Sequence, residues 1–99
     1  MAVVSVSVVP IGTGSTSVSP YVARCQEVLE GEEGIKFQLT PMATIIEGEL
    51  DAVLDVIKKL HNVPFDEGAK RVLTTIIVDD RKDKPISMQG KLDSVRSKL

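Results

Sequence analysis

The sequence predicts an α+β fold in which four strands and two helices follow one another as β-α-β-β-α-β, with one additional C-terminal helix. Three observations carry this. Short runs rich in Val and Ile alternate with polar residues at the period of a strand, two longer segments repeat apolar residues at helical spacing, and Gly, Pro or charged clusters separate them.

Each element has its own signature. Val4, Val6 and Val8 alternate with Ser5 and Ser7, so Val3 to Val9 reads as a first strand with one buried face, ended by Pro10. Ile11 to Ser17 is a small-residue loop, and Ser19 followed by Pro20 is a helix start, with Ser as cap and Pro at the first helical position. That helix runs to about Glu30, carries Val22, Cys25, Val28 and Leu29 on one side, and stops at Gly31. Ile35, Phe37 and Leu39 alternate with Lys36, Gln38 and Thr40 in a second strand, and Pro41-Met42 turns it into a third, Ala43 to Glu49. A two-residue turn sets Thr40 opposite Ala43, Gln38 opposite Ile45 and Lys36 opposite Glu47.

Leu50, Val53, Leu54, Ile57 and Leu60 then recur at helical spacing, with Asp51 leading and Lys58 and Lys59 trailing as the helix dipole favours. A connector containing Pro64 leads to a β-branched fourth strand, Val72 to Val78, and a charged loop, Asp79 to Pro85. Met88, Leu92, Val95 and Leu99 predict a short amphipathic helix despite Gly90. This split β-α-β order is that of ferredoxin-like domains: an antiparallel four-stranded sheet with both main helices on one face.

Length and composition narrow the function. At 99 residues there is room for one core, so one domain over residues 1–99 is expected. Twelve basic residues against 14 acidic, with no basic stripe, argue against nucleic acid as a partner. Cys25 is alone, which excludes an internal disulfide and a Cys-rich metal site. The apolar N-terminal run lacks a basic leader and is broken by serines, and no apolar stretch nears the roughly 20 residues of a membrane span. A cytoplasmic chain that does not engage membranes is expected. The sheet face away from the helices would carry Ser5, Ser7, Gln38 and Thr40 beside Val3, Val9 and Ile45. A mixture of small hydroxyl and aliphatic groups with few charges suits an interface, so a homodimer or homotetramer is expected.

Few residues are placed for chemistry. The loop Pro10 to Ser19 (PIGTGSTSVS) crowds Gly12, Thr13, Gly14, Ser17 and Ser19 at a strand-to-helix junction, where backbone amides attract polar groups. It lacks the Gly-Lys-Ser/Thr ending of a nucleotide loop, and on spacing alone it reads first as an ordinary strand-to-helix connector with a Ser cap. Glu47 is either an acceptor for an amino group of a ligand or the cross-strand partner of Lys36. His61, in the last turn of its helix, reads as a group that satisfies terminal carbonyls, and Cys25 as a small core residue rather than a nucleophile. Asp79 and Asp80 are offset by Arg81 and Lys82, against a divalent-cation site. No catalytic constellation, metal site or cofactor is expected. The chemistry reads as binding, to a small molecule or to another protein as a structural or regulatory module.

Two motifs give the reading a family. VSVVPIGTGSTSVSPYVA (Val6 to Ala23) and LTPMATIIEGE (Leu39 to Glu49), with the helix that follows, resemble the small thiamine-binding, YkoF-like family. The family has Gly where this chain has Ala43. The resemblance implies a ferredoxin-like fold, assembly into dimers and tetramers, and recognition of thiamine or its hydroxymethylpyrimidine portion without chemical change. Carried over by motif, the implied contacts are Gly12, Thr13, Gly14, Ser17 and Ser19, then Met42, Thr44 and Glu47.

Overall fold

In the computed structural model, which describes residues 1–99, the elements are β1 (Ala2–Ile11), α1 (Ser19–Glu30), β2 (Lys36–Leu39), β3 (Thr44–Gly48), α2 (Leu50–Asp66), β4 (Arg71–Asp80) and α3 (Met88–Arg96). The strands form one antiparallel sheet in the order β2-β3-β1-β4, the ferredoxin-like arrangement with a C-terminal helix added. Alternation along β1 decides what is buried. Val4 and Val6 point to the helices and are 0% and 3% exposed, while Ser5 and Ser7, which alternate with them, point away.

The core lies between that face and the paired helices. Val4, Val6 and Ile46 of the sheet meet Cys25 and Leu29 of α1 and Val53, Val56, Ile57, Leu60 and Val63 of α2. Complete burial of each such aliphatic side chain is worth about 1.5–3 kcal/mol, and with so few aromatics these residues supply most of the driving force. Gly48 allows a close approach here: a Cβ on it would crowd Ile35 Cγ2 at 3.1 Å and Val53 Cγ2 at 3.2 Å.

The hairpin has the expected register, with Lys36 opposite Glu47, Gln38 opposite Ile45 and Leu39 opposite Thr44. Thr40 clamps its two-residue tip: its amide donates to the Ala43 carbonyl at 2.9 Å and its hydroxyl to the same oxygen at 2.6 Å. α3 begins as expected too. The Ser87 hydroxyl accepts from Gly90 N–H at 2.9 Å, and a Cβ at Gly90 would sit 2.9 Å from that same oxygen, so the glycine leaves room for the cap.

Several boundaries differ from the sequence-based ones. β1 continues through Pro10 to Ile11, because β3 pairs with it only from Ala2 to Val6 and beyond that point one edge of β1 is free. A proline without N–H is tolerated on such an edge. Ser19 does not cap α1: Val18 holds the cap position without a side-chain bond, and its carbonyl accepts from the Tyr21 and Val22 amides at 3.0 and 3.2 Å. β4 reaches Asp80, so Asp79 and Asp80 belong to the strand and not to the loop.

α2 runs through Pro64 to Asp66, which places His61 a full turn from the helix end. Its Nδ1 lies 2.7 Å from Thr74 Oγ1 and its ring meets Phe65 edge to face at 5.6 Å, so it ties α2 to β4 and caps no carbonyl. Pro64 has no N–H to give the Leu60 carbonyl four residues earlier. The buried Cys25 thiol donates to that oxygen at 3.8 Å, filling the gap from the neighbouring helix.

Candidate ligand-binding site

The short pairing of β1 with β3 has a further result. Beyond Val6 the sheet opens between β1 and the hairpin tip, and α1 lies across the opening. The space is a cavity of about 310 Å³, with walls that include Val8, Val18, Val22, Cys25 and Leu39. Thr40 and the tip residues Pro41, Met42 and Ala43 form its outer side, and Met42 is 87% exposed.

Thr44 supplies the polar point within these walls. It is 9% exposed, and its hydroxyl accepts from Gln26 Nε2 at 3.1 Å. That bond orients the Thr44 hydroxyl from α1. A cavity with apolar walls and one or two oriented polar groups can hold a flat ring and choose its orientation. The Cys25 thiol at the wall has its pKa raised by burial, so it is protonated and behaves as an apolar surface at neutral pH.

The loop before α1 forms a second, polar cavity of about 280 Å³ on a different flank of that helix, lined by Thr13, Ser15, Ser17, Tyr21, Arg24 and Glu67 among others. Gly12 and Gly14 adopt φ of +76° and +79°, the left-handed region, and give the loop its shape. Inside it the Thr13 hydroxyl donates to the Ser15 carbonyl at 3.2 Å, and the Ser17 and Ser19 hydroxyls lie 3.2 Å apart. Arg24 makes two hydrogen bonds to Glu27, at 3.0 and 2.7 Å, which raise its pKa further and leave it partly neutralised as an anion receptor.

The residues singled out in the sequence therefore occupy three places. Met42 and Thr44 meet at the apolar cavity; Thr13 and Ser17 line the polar one, while Gly12, Gly14 and Ser19 shape its loop. Glu47 lies on the other face of the sheet, opposite Val3 and Lys36. It is 4% exposed, forms no ion pair with Lys36, and accepts from the Met88 amide at 2.6 Å. The carboxylate thus sits at the N-terminus of α3, where the helix dipole favours negative charge. Residues the sequence reading passed over for the site are Val22 and Leu39, whose period marked them only as apolar faces, and Val18, which carried no signal of its own.

No group of three or more His, Cys, Asp or Glu side chains comes together to hold a metal ion. No helix is long and apolar enough to cross a membrane.

Comparison with known proteins adds a family. A family described as Thiamine-binding protein matches residues 4–96. The UPF0045 protein YqgV of Bacillus subtilis is 49% identical over 102 residues, covering 100% of this chain and 98% of that protein. The crystal structure of the hypothetical protein MJ1052 of Methanocaldococcus jannaschii superposes with a TM-score of 0.88 at 33% identity, covering 96% of this chain and 95% of that one. A Thermotoga maritima structure, described provisionally as a thiamine biosynthesis/salvage protein, superposes with a TM-score of 0.77 at 26% identity, over 96% of this chain and 98% of its own.

Proposed function

The chain belongs to the thiamine-binding protein family, and from that premise we propose that it binds thiamine or a related hydroxymethylpyrimidine, without chemical change, in the cytoplasm and as a homo-oligomer. The observation that carries the proposal is the cavity between α1 and the hairpin. At about 310 Å³ it lies at the small end of ligand pockets, which run from roughly 300 to 1,000 Å³, so it suits one substituted ring better than an extended cofactor.

On this reading the pyrimidine ring lies among Val8, Val22 and Leu39, with Met42 folding over it from the hairpin tip. The amino group or a ring nitrogen is met by the Thr44 hydroxyl, which Gln26 holds in orientation. Thr13 and Ser17, on the loop held by Gly12 and Gly14 and followed by Ser19, offer hydroxyls to a polar substituent that reaches past α1. Glu47 contributes by holding α3 in place. With no aromatic residue among the cavity walls to stack on the ring, the affinity is modest.

Isothermal titration of the dialysed protein with thiamine, and separately with hydroxymethylpyrimidine, tests this. Saturable heat at a fixed ratio per chain is expected, with Thr44→Val weakening binding about tenfold through the loss of one oriented hydrogen bond. No heat from either compound at millimolar concentration sinks the proposal. It would favour the second reading, a protein-interaction module, which draws its support from Leu73 and Ile77 standing 59% and 64% exposed on the sheet face away from α1 and α2.

A further inference from the structure

Pairing of β1 with β3 stops at Val6 and leaves the main chain of a later β1 residue without a partner. At the hairpin the Thr40 amide donates to the Ala43 carbonyl, so these two residues are a hydrogen-bonded pair of the ladder. Such pairs alternate with non-hydrogen-bonded ones, and the N–H and C=O of one residue point to the same side of its strand. Leu39 and Thr44 are therefore a non-bonded pair; Thr44 turns its main chain to β1, and Val6, its partner there, turns its own to β3. Further along β1, Ser7 and Val9 direct N–H and C=O to Thr75 and Leu73 of β4, whereas Val8 and Pro10 face the side that β3 has left. Pro10 agrees with this parity, because its missing N–H costs no ladder bond.

Val8 has both groups and a partner for neither. The register would set Met42 opposite it, but the turn carries Met42 out of the ladder to 87% exposure, and no turn or loop bond takes the Val8 amide or carbonyl. Val8 is also a wall residue of the cavity of about 310 Å³. The other polar residues there are already engaged. The Thr40 hydroxyl donates to the Ala43 carbonyl at 2.6 Å and accepts from its amide at 3.2 Å, Ser7 spends its main chain on β4, and the Thr44 hydroxyl accepts from Gln26. An unpaired N–H and C=O beside apolar walls is unfavourable, and an occupant that brings the complementary pair relieves it.

We propose that the main chain of Val8 reads the ligand: its N–H donates to a ring nitrogen, and its C=O accepts from an amino group on the adjacent ring carbon. A residue of an extended strand presents donor and acceptor side by side and exchanges both with the residue opposite it in a hydrogen-bonded pair. An aminopyrimidine carries the matching acceptor and donor on one edge, in the plane of its ring. It takes the place in the ladder that Met42 vacates, much as a peptide adds to the edge of a sheet. The second hydrogen of the amino group, or the other ring nitrogen, is left for the Thr44 hydroxyl. The inference rests on the thiamine reading for its ligand and names the edge of the ring that is recognised. The class so defined is a flat heteroarene with an amino group beside a ring nitrogen.

Substitution can delete the donor without touching the ladder. Val8→Pro removes an N–H that faces no strand, two residues from a proline that β1 already accommodates, while Val8→Ala keeps the N–H and removes the side-chain contacts. In isothermal titration with hydroxymethylpyrimidine, Val8→Pro is expected to bind at least about tenfold more weakly than Val8→Ala, with circular dichroism to confirm that both are folded. In isotope-labelled wild type, the Val8 amide proton should move downfield on addition of thiamine, hydroxymethylpyrimidine or bare 4-aminopyrimidine. The 4-(dimethylamino)pyrimidine analogue, with no hydrogen to give the carbonyl, should need at least about tenfold more ligand for the same shift. Either equal losses in the two folded variants or a Val8 amide unmoved at saturation overturns the assignment and leaves thiamine binding standing. A Val8 response to 4-aminopyrimidine without binding of thiamine or hydroxymethylpyrimidine sustains it and overturns the reading it rests on. No response to any probe at millimolar concentration overturns both. If Val8→Pro does not fold, the amide shift decides.

Discussion

Val4 and Val6 are sealed under α1 and α2, while Ser5 and Ser7 of the same strand face away from them and remain half exposed. The strand serves two surfaces that answer to different demands. Toward the helices Val4, Val6 and Ile46 at the centre of the sheet are aliphatic groups packed on every side, so a change of one methylene there is felt. Away from them the sheet mixes Ser5, Ser7 and Thr75 with Ile45, Leu73 and Ile77, and only one end, around Val3 and Glu47, is covered, by the start of α3. Stability is concentrated on one face, and the other is left free for contacts outside the chain.

The sharpest way to break this contrast is Ile46→Ala. Ile46 is 0% exposed at the centre of the helix-side core, and the variant should lose about 3 kcal/mol in urea unfolding, since the cavity cannot collapse between two helices. Glu47→Ala, its immediate neighbour on the other face, is expected to cost less, about 1–2 kcal/mol, for a hydrogen bond to one backbone amide. Its signature is local: hydrogen exchange should rise along α3 and stay unchanged in α2. A loss of exchange protection throughout the sheet would mean that Glu47 belongs to the core after all. Lys91→Ala removes a half-exposed partner of Asp79 and should lower the unfolding free energy by no more than about 0.5 kcal/mol. A larger effect would show that α3 is held by charge rather than by its first turn.

Much of the fold was legible because period-2 and period-3.6 patterns survive burial. Alternating valines located β1, and Pro41-Met42 set the hairpin register residue for residue. The site was less legible, for reasons that differ. Thr44 and Glu47 are three residues apart on one strand, an odd separation that puts them on opposite faces; this was readable from spacing, and the shared motif obscured it. The cavity was not readable, because it arises where β3 stops pairing with β1 after Val6, and pairing length depends on strands distant in sequence. The helix through Pro64 was missed for a related reason: the rule that proline ends a helix assumes that nothing else satisfies the vacated carbonyl. Here Cys25, 35 residues away along the chain from Leu60, does so.

That substitution of a thiol for a missing amide has a bearing on reactivity. Burial raises the Cys25 pKa, and the proton that would have to leave is already engaged with the Leu60 oxygen. The thiolate is the form that attacks oxidants and alkylating reagents, so the sole sulfhydryl of the molecule is withheld from them while the helices stay packed. Because the same sulfur borders the cavity beside Val22 and Leu39, its slow modification is a clock for how often that cavity opens, and an occupant would stop it.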